Sequence, residues 1–383
     1  MRDESVVERV VRATNHVRNA LLAGYTTYRD LGSEALSSAD ANFRDCINRD
    51  LIPGPRLFVA TDAVASSGSY EIRSESRWDR LVVPRASDVG DGAQGVKSAV
   101  RRRVGAGCDI VKFYADYRRK TMRFPAPQST IRFPPTEGDP NPVVPLFQQD
   151  EMDAIVAEAR LAELPVAAHA GEPKAALMAA RAGVTSIEHM FESTDEVFDE
   201  MRRRGCIWVP TLTTAENLAP PEMFARLKAR VKIAHEAGVR LAAGGDTGTF
   251  NHGLNARELE IMVEAGVPLE DVLESCTVGG WEACGGNLCG YKFGWFEKGN
   301  RADIIALDAD PREDGKALRK VSFVMKDGII WKYDGVPVGM FATPCWPEKA
   351  EQSPGSDSDW TELVVTEGCE VLPVPSPVYK PRK

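Results

Sequence analysis

Hydrophobic positions along the chain switch between helical spacing and short apolar runs, which predicts helices that alternate with strands. The first helix carries its apolar side chains near one face, and Gly24 ends it before the first strand. The predicted strands cover residues 24–30, 56–64, 109–114, 165–169, 185–189, 207–212 and 240–246. The predicted helices cover residues 4–22, 40–50, 92–105, 148–162, 173–182, 194–204, 220–237, 255–265 and 268–284.

This order of elements predicts an α/β fold in which helices cover a parallel sheet. Closing such a sheet into a (β/α)8-type barrel takes eight strands, and seven are recognisable here, so the predicted barrel is incomplete. Residues 117–146 form a long segment rich in Pro, Arg and Thr, which predicts a functional lid or a disordered loop.

The pattern changes near residue 290. Strands resume at 303–307 and 321–334 with no helix between them, which predicts a small β unit, a partial β-sandwich over residues 291–343. Residues 1–290 would then form the barrel. The remaining residues, 344–383, are rich in Pro, Ser and acidic side chains and are predicted to be loosely ordered.

Composition narrows the class of protein. The 383 residues are 43% hydrophobic, enough for a large core, and the net charge of −9 argues against a nucleic-acid partner. No apolar run approaches the roughly 20 residues that span a bilayer. The N-terminus begins an amphipathic helix and does not resemble a signal peptide. Eight scattered cysteines without a Cys-x-x-Cys pair favour a reduced, cytoplasmic protein, and the lack of a long apolar run predicts no membrane partner.

Four polar side chains stand at or near the ends of apolar runs. They are Lys112, His169, His189 and Asp246, each on a different predicted strand. In a β/α barrel the active site lies at the carboxyl ends of the strands. The pattern therefore predicts that these four side chains meet at one face and form a metal-binding site.

Each of these side chains has a simpler interpretation. Lys112 could lie on an edge strand and reach solvent, whereas a buried lysine would have a lowered pKa and its neutral amine could take up CO2. His169 and His189 could each be a core histidine bonded to a backbone carbonyl. Two strand-ending histidines separated by one helix favour metal ligation instead, because neutral imidazole binds zinc-like ions.

Asp246, the fourth of these side chains, and two possible substrate contacts have alternative interpretations as well. Asp246 could be a turn or helix-capping residue, or it could bind a metal and accept a proton from the attacking water. His252 follows Asp246 in a loop and is predicted either to contact substrate or to lie at the surface. Tyr114 follows Lys112 by two residues and is predicted to hydrogen-bond to substrate.

With the segments Gly24–Gly32 and Gly299–Asp308, these residues resemble the amidohydrolase superfamily. The resemblance covers roughly residues 4–335 and is to the branch of imidazolonepropionase-like, Xaa-Pro dipeptidase-like and fungal ochratoxinase-like enzymes. It implies a TIM barrel with a flanking β-sandwich. It also implies a small-molecule substrate and divalent metal ions, usually two zinc ions.

The resemblance assigns a role to each candidate. Lys112, carboxylated, would bridge the two metals, and His169 and His189 would hold the second one. Asp246 would bind the first metal and shuttle protons while metal-activated water attacks an amide or lactam carbonyl. His252 matches a loop histidine of this branch.

One motif of the family is absent, since no His-x-His occurs in the sequence. The family carries it on the first barrel strand, whereas this chain starts at the first barrel helix, so the first metal lacks two ligands. Three interpretations stay open. The chain could be an active amidohydrolase with an unusual or single-metal site, a truncated and catalytically impaired homologue (a gene-model fragment included), or a single-metal decarboxylase or lyase. Many relatives are oligomeric, and no motif here determines whether this chain forms a homo-oligomer.

Overall fold

The computed structural model describes residues 5–33, 36–69, 87–117 and 143–339. Most of the predicted loop 117–146 and the whole predicted tail 344–383 lie outside these residues. The strands are β1 (Thr27–Asp30), β2 (Arg56–Val59), β3 (Ala63–Ala65), β4 (Ser87–Val89), β5 (Val111–Tyr114), β6 (Val166–Ala170), β7 (Ser186–His189), β8 (Ile207–Val209), β9 (Ile304–Leu307), β10 (Val321–Lys326), β11 (Ile329–Tyr333) and β12 (Val336–Pro337).

Helices occupy most of the connections between these strands. They are α1 (Val6–Leu22), α2 (Ala39–Asn48), α3 (Gly92–Gly105), α4 (Gln149–Leu161), α5 (Pro173–Ala182), α6 (Asp195–Arg204), α7 (Leu212–Leu218), α8 (Pro221–Glu236), α9 (Ala256–Glu264), α10 (Leu269–Cys276) and α11 (Val278–Ala283). None of the described helices is long and apolar enough to cross a membrane.

The central sheet is parallel, with the strand order β4-β3-β5-β6-β7-β8. β1 pairs in parallel with β2, and Asp109 N donates to Val59 O at 2.7 Å, which links β2 to the approach to β5. The predicted α/β class with a parallel sheet is confirmed. Strand pairing among the described residues does not show the sheet closed into a barrel.

The two faces of the sheet differ in chemistry. Val111 and Phe113 of β5 are fully buried in the core that the covering helices form with the sheet. Lys112 and Tyr114 alternate with them and so lie on the opposite face. We call this the inner face. The register places Lys112 opposite Ala167, and Tyr114 opposite His169.

Two of the predicted elements that differ from the structure lie between residues 240 and 284. The strand predicted at 240–246 is reduced to Leu241, which pairs with Trp208, because Ala243 N donates instead to Ser275 O at 3.0 Å. The helix predicted at 268–284 is divided in two at Thr277. Just after the break lies Gly279, where a Cβ would come within 2.7 Å of Leu241 O. Tertiary contacts, which local pattern does not record, therefore decide both elements.

The β unit after the helices is an antiparallel sheet with the order β12-β11-β10-β9. One buried side chain, Arg56 at the start of β2, connects this sheet to the β1-β2 pair. It donates to Asp303 at 2.9 Å and to Asp327 at 2.5 Å. The Arg56 and Asp303 side chains are 7% and 8% exposed, so this ion pair is shielded from solvent.

Candidate active site

Lys112 is buried in the middle of the central sheet. Its strand lies between β3 and β6, and the residue is 4% exposed, so the interpretation as a solvent-reaching edge lysine is wrong. Burial lowers the pKa of Lys112 to about 8, while the Glu188 carboxylate opposes this shift and the Arg29 guanidinium adds to it. A substantial neutral fraction of this amine is therefore present near neutral pH.

His169 and His189 come together at the ends of β6 and β7. Their ring centroids are 4.7 Å apart, and the rings meet edge to face at 61°. Burial, followed by the nearby Lys112 cation, lowers the pKa of His189 to about 3. Burial, His189 and Lys112 likewise lower the pKa of His169 well below its ordinary value. Both imidazoles are therefore neutral at pH 7, which is the form that binds metal ions.

The backbone at the end of β7 brings His189 to this position. In register, His189 pairs with Ala170, whose side chain lies in the core behind the sheet, so a regular strand would direct His189 there. Instead φ is +74° at His189 and +52° at Met190. Non-glycine residues rarely adopt such angles, and they cluster at functional sites. The departure from strand geometry lets the His189 ring meet His169.

Each histidine also contacts a polar residue that we did not predict from the sequence. Thr211 Oγ1 lies 2.9 Å from His189 Nδ1, and Asp116 Oδ1 lies 3.5 Å from His169 Nε2. Asp116 is fully buried and accepts hydrogen bonds from the backbone N–H groups of Gly171 and Glu172. Burial raises the pKa of Asp116 to about 7 despite those hydrogen bonds. Asp116 continues the alternation of Lys112 and Tyr114, a signal that could have identified it.

Asp246 ends the predicted strand 240–246, in which Leu241 is the described residue that pairs with a neighbouring strand. The φ angle of Asp246 is +56°, and Thr214 Oγ1 donates to its carbonyl oxygen at 2.9 Å. The residue reaches the surface, yet the protein around its carboxyl group removes much of the solvent from it. This desolvation raises the pKa of Asp246, and the charge of Lys112 offsets part of the rise. Asp246 is not a helix cap, since α9 begins ten residues later at Ala256. Its electrostatic influence on Lys112 places it on the same side of the molecule.

His252 and Tyr114, the two predicted substrate contacts, differ in position. The Tyr114 ring lies 5.6 Å from that of His169, beside the histidine pair. The His252 ring stacks on His16 of α1 at 4.3 Å, and among the described ring contacts it also approaches Tyr28. Burial, followed by His16, lowers the pKa of His252 to about 4. The ring contacts thus place Tyr114 with the histidine pair and His252 against α1.

A buried ion pair lies on the inner face next to Lys112. Arg29 of β1 donates to Glu188 at 2.8 Å and to Ser186 Oγ at 2.8 Å, and the serine hydroxyl donates to Glu188 at 2.5 Å. Glu188 lies in register with His169, so its carboxylate belongs to the same face. Glu188 directly precedes His189 in the chain, but its contact with Arg29 spans 159 residues and has no local signature.

The side chains of this site include donor atoms of the kind that bind divalent metal ions. Two neutral imidazoles in contact, with a buried lysine of lowered pKa nearby, are suitable donors for zinc-like ions. In the described part of the chain no three His, Cys, Asp or Glu side chains come close enough together to share an ion. The residues that could hold an ion are therefore the two histidines, with Lys112 nearby as the candidate for a third ligand.

Comparison with known proteins finds relatives over most of the chain. The model of the Amidohydrolase family matches residues 8–332. Ochratoxinase from Aspergillus niger is 28% identical over 357 residues, which cover 83% of this chain and 67% of that protein. Among solved structures, a Xaa-Pro dipeptidase with bound methionine in its active site has a TM-score of 0.72 at 28% identity, covering 86% of this chain and 80% of the other. A prolidase complexed with N-methylphosphonate-L-proline has a TM-score of 0.70 at 25% identity, covering 86% and 81%.

Proposed function

Because the chain belongs to the amidohydrolase family, we propose that it hydrolyses an amide, lactam or dipeptide-like carbon–nitrogen bond with the aid of a divalent metal ion. The relatives support hydrolysis of C–N bonds as the reaction class, since they include an ochratoxinase and a Xaa-Pro dipeptidase. Zinc is the ion we expect. N-acyl amino acids, dipeptides and lactams are the substrates to test first.

The observation that carries this proposal is the contact between His169 and His189 beside Lys112. The two histidines would hold the ion, and Lys112 in its carboxylated form would complete the set. When bound there, a divalent ion polarises a carbonyl group and lowers the pKa of water enough to make it a nucleophile. The protein's part is to keep both imidazoles neutral, which their burial does.

Lys112 can become a carboxylate only from its neutral form. The amine lone pair attacks CO2, a nitrogen–carbon bond forms, and the amine proton leaves to solvent. Because burial lowers the pKa of Lys112 from 10.5 to about 8, a much larger fraction of its amine is neutral at pH 7 than for an exposed lysine. Burial therefore makes carboxylation of this side chain far more accessible.

We assign proton transfer to Asp246. Its carboxyl has a raised pKa, which brings it closer to the range where a general base and acid works at neutral pH. It would accept the proton of the attacking water and then give it to the leaving nitrogen. It lies after a predicted strand, and its negative charge acts on the buried Lys112 cation, which suits that role.

A second candidate follows from the absence of a three-ligand cluster of His, Cys, Asp or Glu among the described residues. A site with fewer ligands could serve a single-metal decarboxylase or lyase. It could also belong to a catalytically impaired homologue that binds small molecules without turnover. Either would keep the histidine pair and would fail to hydrolyse the substrate panel.

The test combines metal analysis with assays on the full chain. After growth with zinc or manganese, we expect about one ion or more per chain by mass spectrometry. His169→Ala should remove it. The control His235→Ala should not, because His235 lies on α8 and pairs with Asp271 of α10. Metal near zero in the wild type would refute the proposal. Bound metal without hydrolysis of any panel member would support the second candidate instead.

A further inference from the structure

The segment that carries Asp246 leaves the parallel sheet before it reaches that residue. Leu241 pairs with Trp208, but two residues later Ala243 N donates to Ser275 O of α10 at 3.0 Å. The register of the sheet therefore does not place the carboxyl of Asp246, although it places the side chains of the paired strands. Another contact must do so, because a group that transfers protons has to lie within hydrogen-bond reach of the reacting atoms.

That contact comes from Thr214 of α7, whose hydroxyl meets the segment at three atoms. Thr214 Oγ1 lies 2.8 Å from Gly245 O, 2.9 Å from Asp246 O and 2.8 Å from Thr249 Oγ1. Carbonyl oxygens only accept, so the single hydroxyl proton of Thr214 is shared between the two carbonyls. The oxygen of Thr214 then accepts the hydroxyl proton of Thr249. Thr214 is 2% exposed, so water competes little for these bonds.

The two carbonyls belong to the peptide groups on either side of the Asp246 Cα. Gly245 O is part of the peptide group that leads into Asp246, and Asp246 O is part of the one that leads out of it. Because peptide groups are planar, holding both of them fixes φ and ψ of Asp246. The direction of its Cα–Cβ bond is then fixed as well, and this direction decides where the carboxyl lies.

Asp246 depends on such support, because its backbone conformation is uncommon. Its φ of +56° is a left-handed angle that is unfavourable for residues other than glycine and persists only where the surrounding structure maintains it. Thr214 lies on an anchored turn that can provide this support. The carboxylate of Glu258 accepts from Leu212 N at 2.8 Å and from Thr213 N at 2.7 Å, which holds the start of α7.

We propose that Thr214 is a positioning residue, which holds the backbone of Asp246 and thereby keeps its carboxyl within electrostatic reach of Lys112. The charges of Asp246 and Lys112 act on one another in the folded chain. The inference rests on the proposed function for the part that Asp246 takes in proton transfer. The hydrogen bonds of Thr214 are a property of the chain alone, so they are tested without metal or substrate.

Hydrogen exchange of the metal-free full chain, followed by mass spectrometry, tests the anchoring. Thr214→Val removes the donor with little change of shape, so amides of residues 245–249 should exchange about 2- to 10-fold faster, as expected for one lost hydrogen bond. Thr214→Ser keeps the hydroxyl and should retain wild-type exchange. The matched control is Thr277→Val, because the Thr277 hydroxyl also faces two consecutive backbone carbonyls, those of Leu273 and Glu274. It should leave exchange at 245–249 unchanged.

Kinetics then separate positioning from a merely structural role. With zinc and a panel substrate that the wild type hydrolyses, Thr214→Val should lower kcat up to about 100-fold with little change in KM, because a small misplacement of a reacting group has that effect. Thr214→Ser should retain kcat. In the Asp246→Asn background, Thr214→Val should cause no further loss of kcat, because Thr214 acts through that carboxyl.

Unchanged exchange at 245–249 in Thr214→Val, or an equal rise in Thr214→Ser, would overturn the inference. A further loss of kcat by Thr214→Val in the Asp246→Asn background would also overturn it. If Thr214→Val does not fold, Thr214→Ala replaces it, because alanine is the best helix former. Exchange that follows the expected pattern, in a chain that hydrolyses no panel substrate, would support the anchoring and refute the proposed function alone.

Discussion

Arg29 of β1 and Glu188 of β7 form a buried ion pair, with Nη2 of the arginine 2.8 Å from the carboxylate. Their side chains are 11% and 3% exposed. The two strands are not paired with each other in the described sheet order. The contact therefore runs across the inner face and shows that the strands curve toward one another. It also places a fixed pair of charges beside Lys112.

Removing one member of this pair should destabilise the fold strongly. Arg29→Met leaves the Glu188 carboxylate buried without its cation, and breaking a buried pair in this way costs about 3–5 kcal/mol. The double variant Arg29→Met/Glu188→Leu should recover much of that loss, because two apolar side chains can replace a buried pair. Urea unfolding followed by circular dichroism measures both free energies of unfolding.

The comparison for this prediction is an exposed pair. Arg101 is 69% exposed and pairs with Glu158 at 2.6 Å, so Arg101→Met should change the free energy of unfolding far less than Arg29→Met does. Equal effects of Arg29→Met and Arg101→Met would contradict the view that the inner pair is shielded from solvent.

Lys112 should take up CO2. Incubation with ¹³C-bicarbonate near pH 8 should give a carbamate signal in the ¹³C NMR spectrum, and the signal should disappear in Lys112→Met. Lys326 supplies the control, since burial lowers the pKa of its amine too, but it donates to Gly54 O far from the histidine pair. A carbamate signal that survives in Lys112→Met and is lost in Lys326→Met would refute the assignment.

The stacked pair of His252 and His16 should make stability depend on pH. The pKa of His252 is about 4 in the folded chain and near 6.5 when unfolded, so the unfolded chain binds the proton more tightly. Stability is therefore complete above about pH 6.5 and falls as the pH drops toward 4. His252→Phe should lose less melting temperature between pH 7 and pH 5 than the wild type does. Identical losses of melting temperature in His252→Phe and the wild type would show that protonation of His252 is not coupled to unfolding.

Glu258 should be needed for the start of α7. Its carboxylate accepts three hydrogen bonds, two of them from backbone N–H groups. Glu258→Gln keeps the shape but offers one oxygen, so at least one buried donor loses its partner at a cost of about 1–3 kcal/mol. Urea unfolding measures this loss. The exposed Glu264→Gln should change stability less, and a larger effect at Glu264 would contradict the capping role.

The sequence allowed some of this site to be predicted and not the rest. Lys112 and His169 follow directly from strand alternation and from the rule that sites lie at the carboxyl ends of parallel strands. The orientation of His189 depends on the positive φ angles of His189 and Met190, which the residue pattern does not predict. Glu258 was missed because its hydrogen bonds with Leu212 and Thr213 join residues more than forty positions apart. Thr211 was missed because its contact with His189 also joins separate elements.

The same cause explains the errors in the fold. The segment 207–212 was predicted to be one strand, but β8 ends at Val209 and α7 begins at Leu212. The distant Glu258 provides the acceptor that this short helix needs. The local pattern of hydrophobic residues predicts elements that are stabilised by side chains of the same segment. It does not predict elements whose hydrogen-bond partners come from elsewhere in the chain.

Arg56 has a consequence for how the chain folds during synthesis. Its partner Asp303 is made 247 residues later, and Asp327 is made 271 residues later. At about 5–20 residues per second, translation takes roughly 12–50 s to cover the first interval. During that time the start of β2 has a cation whose partners do not yet exist. The Arg56 side chain therefore reaches its final pairing only after the carboxyl-terminal β unit has been synthesised.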